Sequence, residues 1–197
     1  MALPLPTDPS AGFCAPSYPD MLEVDVSGQN GHSEGGLSFA EQRTHFGLWA
    51  AISSPLTLSF DVGNTSITDA VWPFITNPEV LAVSQSWYGH PGTLTAQDKD
   101  NAGQEWQIWT KPQAGDAIAV LIISRALGPV SAGPLDLSLP LGDYLRGPVV
   151  VRDLWQRADM GTHVGTLRFP AVAAHDSVFL LLRPAANETH GLGRKQA

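Results

Sequence analysis

The sequence predicts a two-part fold, α/β and then all-β: two consecutive units of a parallel α/β sheet followed by an antiparallel β-sandwich. Three observations predict it. Up to residue 93 strand-like and helix-like runs alternate, the signature of βα units. At Tyr88-Gly-His-Pro-Gly92 that pattern stops. Beyond it come six short strand-like runs separated by Gly, Pro and Asp clusters, with no helical interval between them. The expected divisions are 1–93, 94–184 and a tail over 185–197.

Residues 1–16 are rich in Pro and Ala and read as irregular. Met21 to Val26 alternates apolar and acidic side chains, a strand signal, and 27–36 is a loop dense in Gly, Asn and Ser. Ser38 and Glu41 have capping-box spacing, and Phe39, Gln42, Phe46, Trp49 and Ala50 recur at helical intervals until Pro55. Leu56 to Phe60 is a short apolar strand. Thr68 or Ser66 is placed to cap a second helix running to Ile75, with Pro73 limiting its regularity, and 78–85 is a third helical segment. The strand-like runs of the second part are 105–110, 117–124, 135–139, 149–153, 164–169 and 177–183. They look self-contained, so 94–184 is expected to fold alone. The tail has little apolar content and reads as disordered.

Composition narrows the function classes. A net charge of −8, from 19 acidic and 11 basic residues, opposes binding to nucleic acid or anionic lipid, because phosphates would add repulsion instead of releasing counterions. A neutral or small polar ligand fits better. No apolar run reaches the roughly 20 residues of a membrane helix. The first residues lack the basic start and unbroken apolar stretch of a signal peptide, so no compartment is assigned. Cys14 is the single cysteine, which rules out an intrachain disulfide. The six histidines are scattered without metal-ligand spacing, and neither a metal nor a cofactor is expected.

Few residues suggest chemistry by type alone. Asp20 reads as a strand-end residue in a solvated turn. Glu23 and Asp25 share one face of a strand, either as a carboxylate pair or as an acidic solvent-facing edge. Ser53-Ser54 lacks the glycines of a hydrolase elbow. Trp87, Trp106, Trp109 and Trp155 suit a sugar-stacking platform, although alternation puts Trp106 and Trp109 on opposite faces of one strand and sends at least one to the core.

Larger patterns carry more. Ser17-Tyr-Pro-Asp-Met-Leu-Glu-Val24, followed by Arg43-Thr-His-Phe-Gly-Leu-Trp-Ala-Ala-Ile-Ser-Ser-Pro-Leu56, resembles the late barrel region of the melibiase-type α-galactosidases and α-N-acetylgalactosaminidases, glycoside hydrolase family 27. Asn77-Pro-Glu-Val-Leu-Ala-Val-Ser-Gln85, Trp109-Thr-Lys-Pro112, Val151-Arg-Asp-Leu-Trp155, Met160-Gly-Thr162 and His175-Asp-Ser-Val-Phe-Leu-Leu182 follow in that family's order. The resemblance implies the last two units of a (β/α)8 TIM barrel and a C-terminal antiparallel β-sandwich, with chemistry at the C-terminal ends of the strands.

The implied activity is retaining hydrolysis of terminal α-linked galactose or N-acetylgalactosamine, in enzymes that are typically secreted, lysosomal or vacuolar. It needs a nucleophile and an acid/base carboxyl about 5 to 5.5 Å apart. In the family both lie on earlier strands, and only nineteen residues precede Asp20 here. The chain is therefore expected to be a C-terminal fragment with no catalytic residue of its own. Asp20 and Met21 match the family's substrate-binding Pro-Asp-Met, where the carboxylate accepts from sugar hydroxyls. The match departs just upstream, where Pro16-Ser-Tyr18 stands in place of Trp-Asn-Asp. The implied partner is an α-galactoside-type carbohydrate, and uncovered barrel edges predict self-association. The alternative from another class is a non-catalytic carbohydrate-binding or structural module.

Overall fold

The structure is a computed structural model that describes residues 21–24, 36–100, 103–125, 137–169 and 171–185. Asp20, Asp25, the N-terminal run, most of the loop over 27–36 and the tail beyond 185 lie outside the described residues.

Three helices come first. In α1 (Phe39–Ala51) the capping box is formed in both directions: the Glu41 amide donates to Ser38 Oγ at 3.3 Å, and the Ser38 amide donates to Glu41 Oε2 at 2.7 Å. Helix α2 (Thr65–Ile75) starts earlier than expected, with Asn64 as its N-cap. Thr68 and Ser66 do not cap it; their hydroxyls bond back to the carbonyl and the side chain of Asn64 at 2.9 and 2.7 Å. Pro73 is accommodated inside it. Helix α3 (Pro78–Gln85) has proline in its first turn and Asn77 as a side-chain cap.

Among the described residues, the two strands expected over 21–26 and 56–60 meet in one parallel bridge, between Leu22 and Leu58. The Leu22 amide donates to Thr57 O at 3.1 Å. The next amide, that of Glu23, points to the opposite side and goes to the His45 ring.

The remaining residues form a six-stranded antiparallel sheet and a smaller pair. In chain order the strands are β1 (Thr93–Lys99), β2 (Glu105–Pro112), β3 (Ile118–Ser124), β4 (Ser138–Pro140), β5 (Val149–Asp153), β6 (Ala158–His163), β7 (Thr166–Arg168) and β8 (Ser177–Pro184). The large sheet runs β1-β2-β3-β8-β5-β6, and β4 pairs with β7 alone. Strands β1 and β6 were not expected. Both are edge strands with mostly polar, solvent-facing side chains, so they lack the apolar alternation that marks a strand in sequence.

Central strand β3 explains how the parts fit. Its run Ile-Ala-Val-Leu-Ile-Ile is buried almost throughout, which a sheet with one wet face does not allow. Val120 and Ile122 join Leu139, Leu141, Val149, Val151, Leu167, Leu180 and Leu182 under the β4–β7 pair. Ala119, Leu121 and Ile123, with Phe179 and Leu154, pack on the other face against Phe46, Ala50, Phe74, Val80 and Val83 from the helices. Helices and sheet therefore share one core, and the strand region is less self-contained than its sequence suggests. The tryptophans follow the alternation: Trp106 packs toward the small sheet, while Trp109 and Trp155 pack toward the helices. All three are partly buried and packed against the two cores.

Candidate functional site

The residues singled out for sugar binding begin at the described segment Met21–Val24. Its alternation is kept: Leu22 and Val24 are fully buried, while Met21 (51% exposed) and Glu23 face outward. Asp20 is outside the described residues, so the structure places one of the two sequence-predicted site residues, Met21, at the surface. Three contacts hold the segment. Besides the Leu22–Thr57 bond, Ser59 Oγ donates to Leu22 O, and the Glu23 amide donates to His45 Nε2 at 3.1 Å.

His45 belongs to α1 and lies against Trp49 one turn on, with ring centroids 3.8 Å apart and a 41° tilt. Burial pushes its pKa below the ordinary histidine value, and the Glu23 carboxylate pulls the other way. In sequence His45 is one of six scattered histidines. The only available signal was its place four residues before Trp49 on a helix that faces the segment.

The other motif residues converge elsewhere, on the seam between helices and sheet. Arg43 of α1 forks onto the Asp176 carboxylate, with Nε–Oδ1 at 3.2 Å and Nη2–Oδ1 at 2.6 Å. Its guanidinium also lies 5.8 Å from the Trp155 ring. Glu41 reaches His175 Nδ1 at 2.7 Å, and Thr44 Oγ1 donates to His175 O at 2.9 Å. The Ser38 bonds, followed by His175, hold the Glu41 carboxyl below its usual range. Gly47 lets α1 approach closely: a Cβ there would stand 2.8 Å from the Trp155 indole.

Helix α3 is fixed at both ends. Asn77 is buried and serves two partners. Its Oδ1 accepts the Glu79 and Val80 amides at 3.0 and 3.4 Å, and its Nδ2 donates to Leu154 O at 2.8 Å. Glu79, in the first turn, takes a two-pronged contact from Arg152 at 2.8 and 2.7 Å. That contact draws the Glu79 pKa down and raises that of Arg152, which also reaches Asp159 at 3.0 Å. At the far end Lys111 is fully buried, and its ammonium donates to the carbonyls of Val83 and Ser84, the latter at 3.3 Å. Burial pulls its pKa down to about 8.

Beside this seam is an open hollow of about 580 Å³, walled in part by Glu79, Ser86, Tyr88, Gln113, Arg152 and Arg183. Among the described residues no cluster of three potential metal ligands occurs.

Known proteins match this arrangement of helices and sheet. Residues 103–182 fit the alpha galactosidase C-terminal beta sandwich domain. Alpha-galactosidase 3 of Arabidopsis thaliana is 31% identical over 166 residues, covering 84% of this chain. That alignment is about twice the length of the sandwich match, so it takes in the helices as well. This chain belongs to the melibiase-type α-galactosidase family, as its C-terminal portion. Two solved structures of the family superpose on it. Alpha-galactosidase I from Mortierella vinacea has a TM-score of 0.64 at 26% identity and covers 83% of this chain. A GH27 β-L-arabinopyranosidase from Geobacillus stearothermophilus has a TM-score of 0.66 at 26% identity and covers 86%. The chain spans 35% of the Arabidopsis relative and 38% and 37% of the two solved chains. Melibiase-type motifs thus carry two jobs here: Met21 opens the segment held by His45, and the motifs at 43–56, 77–85, 109–112, 151–155 and 175–182 build the seam, while Met160 packs toward the small sheet.

Proposed function

We propose that this chain is the C-terminal part of a retaining α-galactosidase-type glycoside hydrolase, acting on terminal α-linked galactose or N-acetylgalactosamine in the complete enzyme. In this reading residues 1–93 are the last two βα units of a (β/α)8 barrel, 94–184 are the sandwich, and Asp20 and Met21 contribute to the sugar pocket. One observation carries it: similarity to the Arabidopsis α-galactosidase runs through 166 residues, far beyond the sandwich alone. The bridge between Leu22 and Leu58 supports it, because two parallel segments joined through α1 have βα-unit connectivity.

In this reading the chain alone does not cleave sugar. Glu41 and Glu79 are committed to the seam, and positioning residues without a nucleophile have no bond to make. Galactose titration followed by NMR, together with turnover of a nitrophenyl α-galactoside, tests the reading. Expected are shifts at Met21 that are lost in Asp20→Ala, and turnover no faster than buffer. Turnover that vanishes in Asp20→Ala, Glu23→Ala or Asp25→Ala would overturn it.

A second reading, a non-catalytic carbohydrate-binding module, draws on the hollow at the seam. Tyr88 is 48% exposed there, beside the polar groups of Gln113 and Arg183. Galactose-induced shifts at Tyr88 in place of Met21 would favour it.

A further inference from the structure

The Glu23 amide has an unusual partner for a backbone donor. Successive residues of an extended segment present their amides to opposite sides. Leu22 uses its side for Thr57 and Ser59, so the Glu23 amide points away from that neighbour. Its acceptor is a ring nitrogen, His45 Nε2, at 3.1 Å. For Nε2 to accept, the ring must be neutral with its proton on Nδ1. The contact to Trp49 fixes the ring plane.

We propose that His45 is a positioning residue for the sugar-binding strand end: its neutral ring accepts the Glu23 amide and thereby fixes the segment that begins at Met21. Protonation turns Nε2 from acceptor to donor, so the ring then faces the amide proton with one of its own and the hold is released. Among the described residues the charged groups around the ring are few. Glu23 faces it from the segment. On α1 the neighbouring Glu41 and Arg43 are engaged by His175 and Asp176, and the Thr57–Ser59 run has no titratable side chain. Burial outweighs the Glu23 attraction and keeps the ring neutral at neutral pH. The inference rests on the α-galactosidase reading only for the identity of the ligand; the contact itself is tested without it.

The test follows hydrogen exchange of individual amides by NMR in the whole chain between about pH 8 and pH 4.5, as protection relative to the free peptide. In the unmodified chain the Glu23 amide is expected to lose about five- to tenfold of its protection as His45 protonates, the equivalent of one hydrogen bond. Amides in β3 should keep theirs. His45→Gln keeps an acceptor that does not titrate, so its Glu23 protection should be independent of pH. His45→Phe should be unprotected at every pH. Constant protection in the unmodified chain would overturn the proposal, as would an equal loss in His45→Gln. If His45→Phe fails to fold, the other two series still decide. A chain that passes this test and yet binds no galactose would sink the sugar-site reading alone.

Discussion

Gly47→Ala tests how closely α1 approaches the sheet. In an exposed helix the exchange would stabilise by about 1 kcal/mol, because alanine loses less backbone freedom. Here the new methyl would stand 2.8 Å from Trp155 Cζ2 and 3.3 Å from Leu121 Cδ1, where ordinary contact begins at 3.4 Å. The indole has little room to retreat. Phe179 lies against it with ring centroids 5.7 Å apart, and the Arg43 guanidinium, tied to Asp176, is 5.8 Å from it. Overfilling a packed site costs about 1 to 3 kcal/mol, so the net effect expected is a loss of about 1 kcal/mol. Urea unfolding measures it as a lower midpoint at unchanged slope. The decisive step is a cycle with Trp155→Leu. Without the indole the clash is relieved, and Gly47→Ala should then stabilise by its helical gain. A stabilised Gly47→Ala in the unmodified background, or the same loss in both, would refute the reasoning.

Lys111 makes a pH prediction. Its folded pKa of about 8 lies below the ordinary 10.5, so between those values the unfolded chain holds the proton that the folded chain has released. Stability from this group therefore rises with pH across that window, by up to about 3 kcal/mol. In Lys111→Met the rise should disappear, as read from unfolding midpoints at about pH 7.5 and pH 10; an identical pH profile for both chains would refute it. Cutting the chain to 94–184 removes the helices from Leu121, Ile123 and Phe179. The shortened chain should bind an apolar dye and melt at lower temperature, and an undiminished melting temperature without dye binding would count against the shared core.

The elements legible in sequence were those whose signals are local. Ser38 with Glu41 announced α1 through the chemistry of its cap, whereas the Asn77 cap of α3 emerged only in the structure. Strands β2, β3, β5 and β8 stood out by apolar content because they lie inside the sheet. Strands β1 and β6 did not, since an edge strand turned to solvent has no need of apolar alternation. The β3 run held information that went unused: an unbroken apolar strand requires a cover on each face, and the helices were the one candidate for the second. At the site, Met21 was reachable through a motif, whereas His45 was not. Its role depends on an amide 22 residues away, and no spacing rule links the two.

Order of synthesis gives the sheet a late keystone. Strand β3 lies between β2, its sequence neighbour, and β8, the last described strand to be made. Until β8 emerges, β3 has one unfilled edge, β5 has no link to the rest of the sheet, and Arg43 has no Asp176 to grip. Until then the apolar faces that β8 completes in the folded sheet lack one of their strands. Loss of 177–184 would therefore leave two unjoined halves instead of trimming a margin, and protection of the nascent chain by a chaperone matters most just before those eight residues appear.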